Sequence, residues 1–219
     1  MTISASSVIA NVQRILNDEA GVRVPASQLV PFLNQAQRDI MVTRPDTTAT
    51  VAPFSLLAGA KQFLPTNAYL LIDIPSNSTG NQRAITKVPQ NLLDASRPTW
   101  RNDTQASEIA HFTHDLRDPR IFWVFPPAVV GTQVELEASV YPTDIADPAS
   151  PGLEASTVSG NISINDEWQT ALFSIVAHYA YLTDLEGVTN PALAAGHLQR
   201  AAAILGVQLQ AASAVTPQN

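Results

Sequence analysis

His111 and His114, with Asp115 directly after them, place two imidazoles and a carboxylate in one short stretch, a donor set that zinc and related cations accept. Their spacing works against a shared ion. His111 falls in an alternating β pattern, so side chains three apart point to opposite faces of a strand, and no third ligand set accompanies them. Hydrogen-bonded or surface histidines are the expected outcome. His178 and His197 each lie on a helical pattern, where an imidazole usually packs or faces water. Asp166 and Glu167 have the composition of a general acid/base pair, but neighbours on a helix diverge by about 100°. They suit the positive first turn of a helix better. The nine glycines are spread singly, and no phosphate loop, nucleophile elbow or Ser/His/Asp ordering stands out. The chain reads as a protein that is not an enzyme, with no metal and no cofactor.

The run Asp118-Pro119-Arg120-Ile121-Phe122-Trp123-Val124-Phe125-Pro126-Pro127 is the densest aromatic segment. Exposed, Phe122 or Trp123 would make a stacking platform for a sugar or a base. Bounded by Asp-Pro and Pro-Pro, however, consecutive aromatic and β-branched residues describe a strand covered on both faces and ending near Phe125. Trp100 and Trp168 read as core or interface anchors.

Such a strand needs a sheet, and the residues from 47 to 164 supply one: short β-type runs alternate with Pro, Gly and Asn punctuation. Strands are expected at Thr50–Leu57, Lys61–Leu64, Tyr69–Ile74, Ala84–Val88, His111–Thr113, Ile121–Phe125 and Gln133–Tyr141. Pro53 makes the first an edge strand, and Leu57-Ala58-Gly59-Ala60 would join it to the second as a hairpin. Residues 142–160 read as a long loop at the end of this domain. Helices flank it on both sides. Val8, Ile9, Val12, Ile15 and Leu16 recur at helical spacing behind a Ser4 cap, and Leu29, Phe32, Leu33, Ala36, Ile40 and Met41 do so until Arg44-Pro45 stops them.

The last third returns to helix. Asn165 is expected to cap a helix over Asp166–Leu185 with Gly187 as its stop, and Asn190-Pro191 opens another running to about Ala212. The expected fold is therefore α+β: a four-helix bundle from residues 1–46 and 165–212, an inserted β-rich domain over 47–164, and a flexible tail over 213–219.

Composition narrows the partners. The net charge is −7, so the phosphate neutralisation behind non-specific nucleic-acid binding is poorly supplied. Only 14% of residues are charged, which suits extended contact with protein, because neutral groups are cheaper to desolvate than ions. The absence of cysteine excludes disulfides and thiolate chemistry. Neither a signal-peptide pattern nor an apolar run of membrane-spanning length is present, so synthesis in the cytoplasm without a membrane partner is expected.

The ordering of motifs resembles the adaptor, or head-to-tail connector, proteins of short-tailed bacteriophages. The residues that carry it span most of the chain: Leu33-Asn34-Gln35-Ala36-Gln37-Arg38-Asp39-Ile40 with Arg44-Pro45-Asp46; Ser55 through Gly59, Gln62 and Pro65; Leu93-Asp94 with Pro98 and Trp100; Asp118 through Pro127; and Asn165-Asp166-Glu167-Trp168 leading to His178-Tyr179-Ala180-Tyr181. The resemblance implies a structural protein that forms a ring, a dodecamer, at the head–tail interface of the virion. It would bind the portal protein on one side and the tail nozzle protein on the other, with DNA passing through the lumen unbound. An acidic ring fits that passage. In such proteins the C-terminal segment engages the portal, which here points to Leu209, Val215, Thr216 and Pro217. The alternative is a binding module of a phage tail, whose β domain presents exposed aromatics to a glycan or protein.

Overall fold

The computed structural model describes residues 3–148, 152–183 and 188–207. It is α+β, with five α-helices and two β-sheets among the described residues. They fall into two compact units, one drawn from Met1–Arg44 and Pro142–Asn219, the other from Pro45–Tyr141.

In the first unit, α1 (Ala5–Ile15) starts where expected: the Ser4 hydroxyl accepts a hydrogen bond from the Ser7 N–H at 3.2 Å. Val8, Ile9 and Val12 are fully buried on its apolar stripe. The carboxylate of Asp18 then turns the chain by accepting the N–H groups of Val22, Arg23 and Val24. In α2 (Ala26–Thr43) the stripe Leu29, Leu33, Ala36, Ile40 and Met41 is buried, and Pro31 is accommodated near the start. Pro25 offers no capping oxygen, so the first two N–H groups of α2, from Ala26 and Ser27, donate to the carbonyls of Leu153 and Gly152. Orphan donors at a helix start are thus satisfied by distant backbone.

Two expectations about the later helices change. Asn165 makes no capping bond; Asp166–Trp168 forms a 3₁₀ turn, and α4 (Gln169–Leu182) begins after it. The last helix, α5 (Pro191–Leu205), is capped by the Asn190 side chain at Leu193 N as expected, but it stops well before Ala212. Gly206 sits in the left-handed region at φ 70° and its N–H closes back on Ala202 and Ala203 carbonyls, the glycine stop of a helix. Gly187 and Ala212 lie outside the described residues. α4 packs against α1, α2 and α5, and its buried residues cover more than one stripe.

Residues 142–148 and 152–164 were expected with the β-rich segment but group with the helices. Ile145, Val158, Ile162 and Ile164 are buried in the helical core, and amide side chains on the helices fix the surrounding backbone. Asn34 bonds both the N–H and the carbonyl of Ile145; Gln13 donates to Leu153, and Gln37 accepts from Ser163.

The second unit contains seven strands: β1 (Ala49–Ser55), β2 (Gly59–Phe63), β3 (Ala68–Asp73), β4 (Thr86–Lys87), β5 (His111–His114), β6 (Ile121–Ala128) and β7 (Gln133–Val140). One sheet has the order β1-β7-β3 and the other β2-β6-β5-β4. β1 and β2 therefore do not form the expected hairpin. β1 pairs along its whole length with β7, and the turn at Leu56–Ala58 carries the chain from one sheet to the other. Phe112, Phe122, Val124, Val134 and Leu136 fill the core to which both sheets contribute. A short helix that the sequence pattern concealed, α3 (Gln90–Ser96), covers the other side of β6.

β6 is an inner strand covered on both faces, but it runs on through Pro126 and Pro127 to Ala128. Its neighbour β2 shifts register between Gly59 and Lys61, opposite those prolines. Prolines are tolerated in a sheet where the partner bulges, since no donor is then missed.

Candidate interaction face

Alternation along β6 sends Phe122 and Val124 into the core and Trp123 and Phe125 to the other face. There α3 and the 3₁₀ turn Trp100–Asn102 deliver Trp100, which is fully buried. The Trp100 ring meets Trp123 and Phe125 edge-on at 6.2 and 6.3 Å. Cations lie over these rings. The Arg101 guanidinium is 4.5 Å from the Trp100 centroid and 5.2 Å from that of Trp123; Lys61 lies over Phe63 and Trp123, and Arg97 over Phe125. Each such contact is worth about 0.5–1 kcal/mol where it is exposed.

One carboxylate orients the group. Asp94 Oδ1 accepts from the Trp100 indole N–H and from Arg101 Nη1, both at 2.9 Å. The Trp100 bond first, and then Arg101, hold the Asp94 carboxyl below the usual carboxylate range. Arg97 Nε stands 2.7 Å from Asp103 Oδ2, an ion pair by distance whose angle falls outside a hydrogen bond's. His111 stacks on Phe125 with planes 6° apart. The arrangement is a partly exposed sheet face of rings and cations. Of the two rings expected as a stacking platform, Phe122 is fully buried and Trp123 already carries cations on its face.

The histidines do not converge. His111 sits on the ring face and His114 on the opposite one, with a ring nitrogen 3.3 Å from the Pro119 carbonyl; burial holds it below the ordinary imidazole value. Asp115 is engaged by Arg117, whose hydrogen bonds lower its carboxyl to about 2. His114 and Asp115 line a cavity of about 550 Å³ with Lys87, Gln90 and Leu116. Among the described residues no group of three His, Cys, Asp or Glu is arranged to hold a metal ion, and no helix is long and apolar enough to cross a membrane. His178 Nδ1 lies 2.8 Å from the Ala194 carbonyl, and His197 stacks on Tyr181. Asp166 and Glu167 are exposed on their turn. Leu209, Val215, Thr216 and Pro217 lie outside the described residues.

The motif residues that had no evident chemistry prove to be clamps. From α2, Asn34 and Gln37 hold the 142–164 segment, Arg38 pairs with Asp144, and Asp39 accepts a hydrogen bond from Tyr179 of α4. Gln62, fully buried, bonds the Leu57 N–H and the carbonyls of Leu57 and Gly59, and so shapes the crossing between sheets. Arg44 lies over the Trp168 ring at 4.7 Å and donates to the Leu205 carbonyl. Leu93, Asp94 and Trp100 come together on the ring face. Arg101 and Lys61 were missed as parts of that face, because a lone basic residue beside an aromatic carries no sequence signal of its own.

No curated protein matches the chain. A family model described as SU10 adaptor protein matches residues 3–219, a span that includes every one of these clamps, and the chain belongs to that family of structural bacteriophage adaptors.

Proposed function

We propose that this adaptor forms a twelve-membered ring that joins the phage portal to the tail nozzle, with DNA passing through its lumen. The observation that carries the reading is the family match over residues 3–219. Three features support it. The net charge of −7 disfavours retention of DNA in a lumen, the low share of charged residues suits broad protein contact, and the ring face on β6 offers a partly exposed contact surface.

In this reading the four helices of the first unit form a bundle, and residues 45–141 are an insert in its sequence. The protein is made in the host cytoplasm and enters the virion at the head–tail interface. Portal contact falls to the C-terminal segment with Leu209, Val215, Thr216 and Pro217.

Electron microscopy of purified portal rings mixed with the chain tests the reading. A second ring of twelve-fold symmetry stacked on the portal is expected, and its loss is expected when residues 208–219 are removed. Portal rings that stay bare at every ratio and salt concentration would overturn the proposal.

A further inference from the structure

Sheets end in strands with unpaired backbone groups, and proteins blunt those edges by shortening, bulging, charging or covering them. Three of the four outer strands follow that rule. β4 has two residues; β2 has a register shift and Lys61; β3 has two register shifts, and residues beyond its end are paired through Ser76 and Ala84. β1 is different. It is seven residues long, pairs with β7 in unbroken register, and carries no charge in the whole stretch from Thr47 to Ala60. Thr50 to Pro53 are exposed on both faces, with Val51 at 58%.

The phase of the ladder shows which backbone groups face outward. Leu56 N–H donates to the Thr132 carbonyl in the register that continues β1·β7, so Phe54, Ala52 and Thr50 also point their backbone groups at β7. Ala49, Val51, Pro53 and Ser55 point theirs away from the sheet. Pro53 is therefore placed where its missing N–H costs β7 nothing, and Val51 and Ser55 keep outward donors.

We propose that β1 pairs antiparallel with β1 of a second copy, extending the three-stranded sheet across a two-fold axis. Two copies that each carry −7 repel one another, so contact is cheapest through a stretch without charge. The other outer strands are blunted, so β1 of the second copy is the available complement. The register that overlays all of β1 sets Val51 against Pro53 and Ala49 against Ser55, with Ala52 opposite Ala52 at the axis. Such a contact is isologous and closes on itself, unlike the head-to-tail contact a ring needs; it concerns the free chain and stands apart from the portal reading.

Sedimentation velocity on the full chain, from micromolar to sub-millimolar concentration, is expected to show monomer passing to dimer. Val51→Pro removes an outward donor while leaving the β7 ladder intact, and should stay monomeric with an unchanged circular dichroism spectrum. Independently of how that variant folds, Ala52→Cys should give a disulfide-linked dimer under mild oxidation, because Ala52 and its counterpart form a non-hydrogen-bonded pair with Cα atoms about 4.5 Å apart. The chain has no native cysteine, and Leu116→Cys, exposed and far along the sequence, should remain unlinked. A wild-type chain that stays monomeric throughout, a dimer that survives in folded Val51→Pro, or equal cross-linking of the two cysteine variants overturns the proposal. Failure to join portal rings with this pairing intact would count only against the ring.

Discussion

The two units solve the same problem, holding irregular backbone against regular structure, with different chemistry. In the helical unit the Asp18 carboxylate fixes the turn before α2, but the longest irregular stretch is held by neutral amides: Gln13, Asn34 and Gln37 reach from α1 and α2 to Leu153, Ile145 and Ser163. In the β-rich unit the Gln62 amide shapes the crossing between the sheets, but it is cations, rings and a carboxylate, Arg101, Trp100 and Asp94, that tie α3 and its following turn onto β6. Amide clamps are indifferent to salt and to pH. A cation–ring–carboxylate face responds to both. The first kind suits a scaffold that must keep one shape, the second a surface whose contacts are adjustable.

The comparison breaks most severely at the core of the β-rich unit. Phe122 is fully buried beside the Phe54 ring and among apolar residues from both sheets. Phe122→Ala should cost about 3–5 kcal/mol from lost transfer energy and the cavity left behind. Denaturant unfolding would show a large fall in midpoint. If Phe122→Ala is as stable as wild type, the covered-strand account of β6 is wrong.

Much of this β unit was legible in the sequence, and the reasons are local. All seven strands lie within a few residues of the runs marked by alternation and punctuation, and Pro53 identified β1 as an edge. Pairing was not legible. Thr48 and Ser139 share a hydrogen bond across both ends of the unit, and nothing near Leu57 announces that the chain leaves one sheet for the other. α3 is hidden because its seven residues bury Leu93 alone, too little for a helical period. Residues 142–160 read as loop since the groups that order the described part of the segment, Asn34 at Ile145 and Gln37 at Ser163, look in sequence like polar positions on a helix. The ring face was half legible: its aromatics stood out, while Arg101 and Asp94 became meaningful only once a turn brought them together.

An amide clamp should matter less than a buried ring but more than a surface ion pair. Asn34→Ala removes both bonds to Ile145 and leaves its N–H and carbonyl unmatched beside a buried side chain, at a cost of about 1–3 kcal/mol. Arg38→Ala, one turn further along α2, removes an exposed pair with Asp144 and should cost at most about 1 kcal/mol. Thermal unfolding of the two variants side by side reads the difference. Equal shifts would mean that the segment is held by its apolar residues and that the amides are incidental.

The smallest effects, and the sharpest separation of the units, come from pH. Tyr179 in the helical unit is pushed up by burial and then by its hydrogen bond to Asp39, and Tyr181 is pushed up by burial. A raised folded-state value means that stability is complete below the unfolded value of about 10 and declines as pH rises above it. Asp94 in the β-rich unit is shifted the opposite way, so its contribution is complete above the ordinary aspartate value of 3.8 and declines as pH falls below that toward the folded value. Alkali should therefore loosen the helical unit first, and strong acid should loosen the ring face. His114 and His197, one in each unit, are both lowered by burial and act in the same direction as pH falls below 6.5, so they do not oppose the units to one another. In a Trp168→Phe variant the remaining tryptophans, Trp100 and Trp123, both lie in the β-rich unit, so its near-ultraviolet dichroism and the far-ultraviolet helix signal give separate readouts. Above pH 10 the helix signal should fall before the tryptophan signal, and below pH 3.8 the tryptophan signal should fall first. Both signals moving together at either extreme would mean that the units unfold as one, and that the contrast between amide clamps and the ring–cation face does not reach their stability.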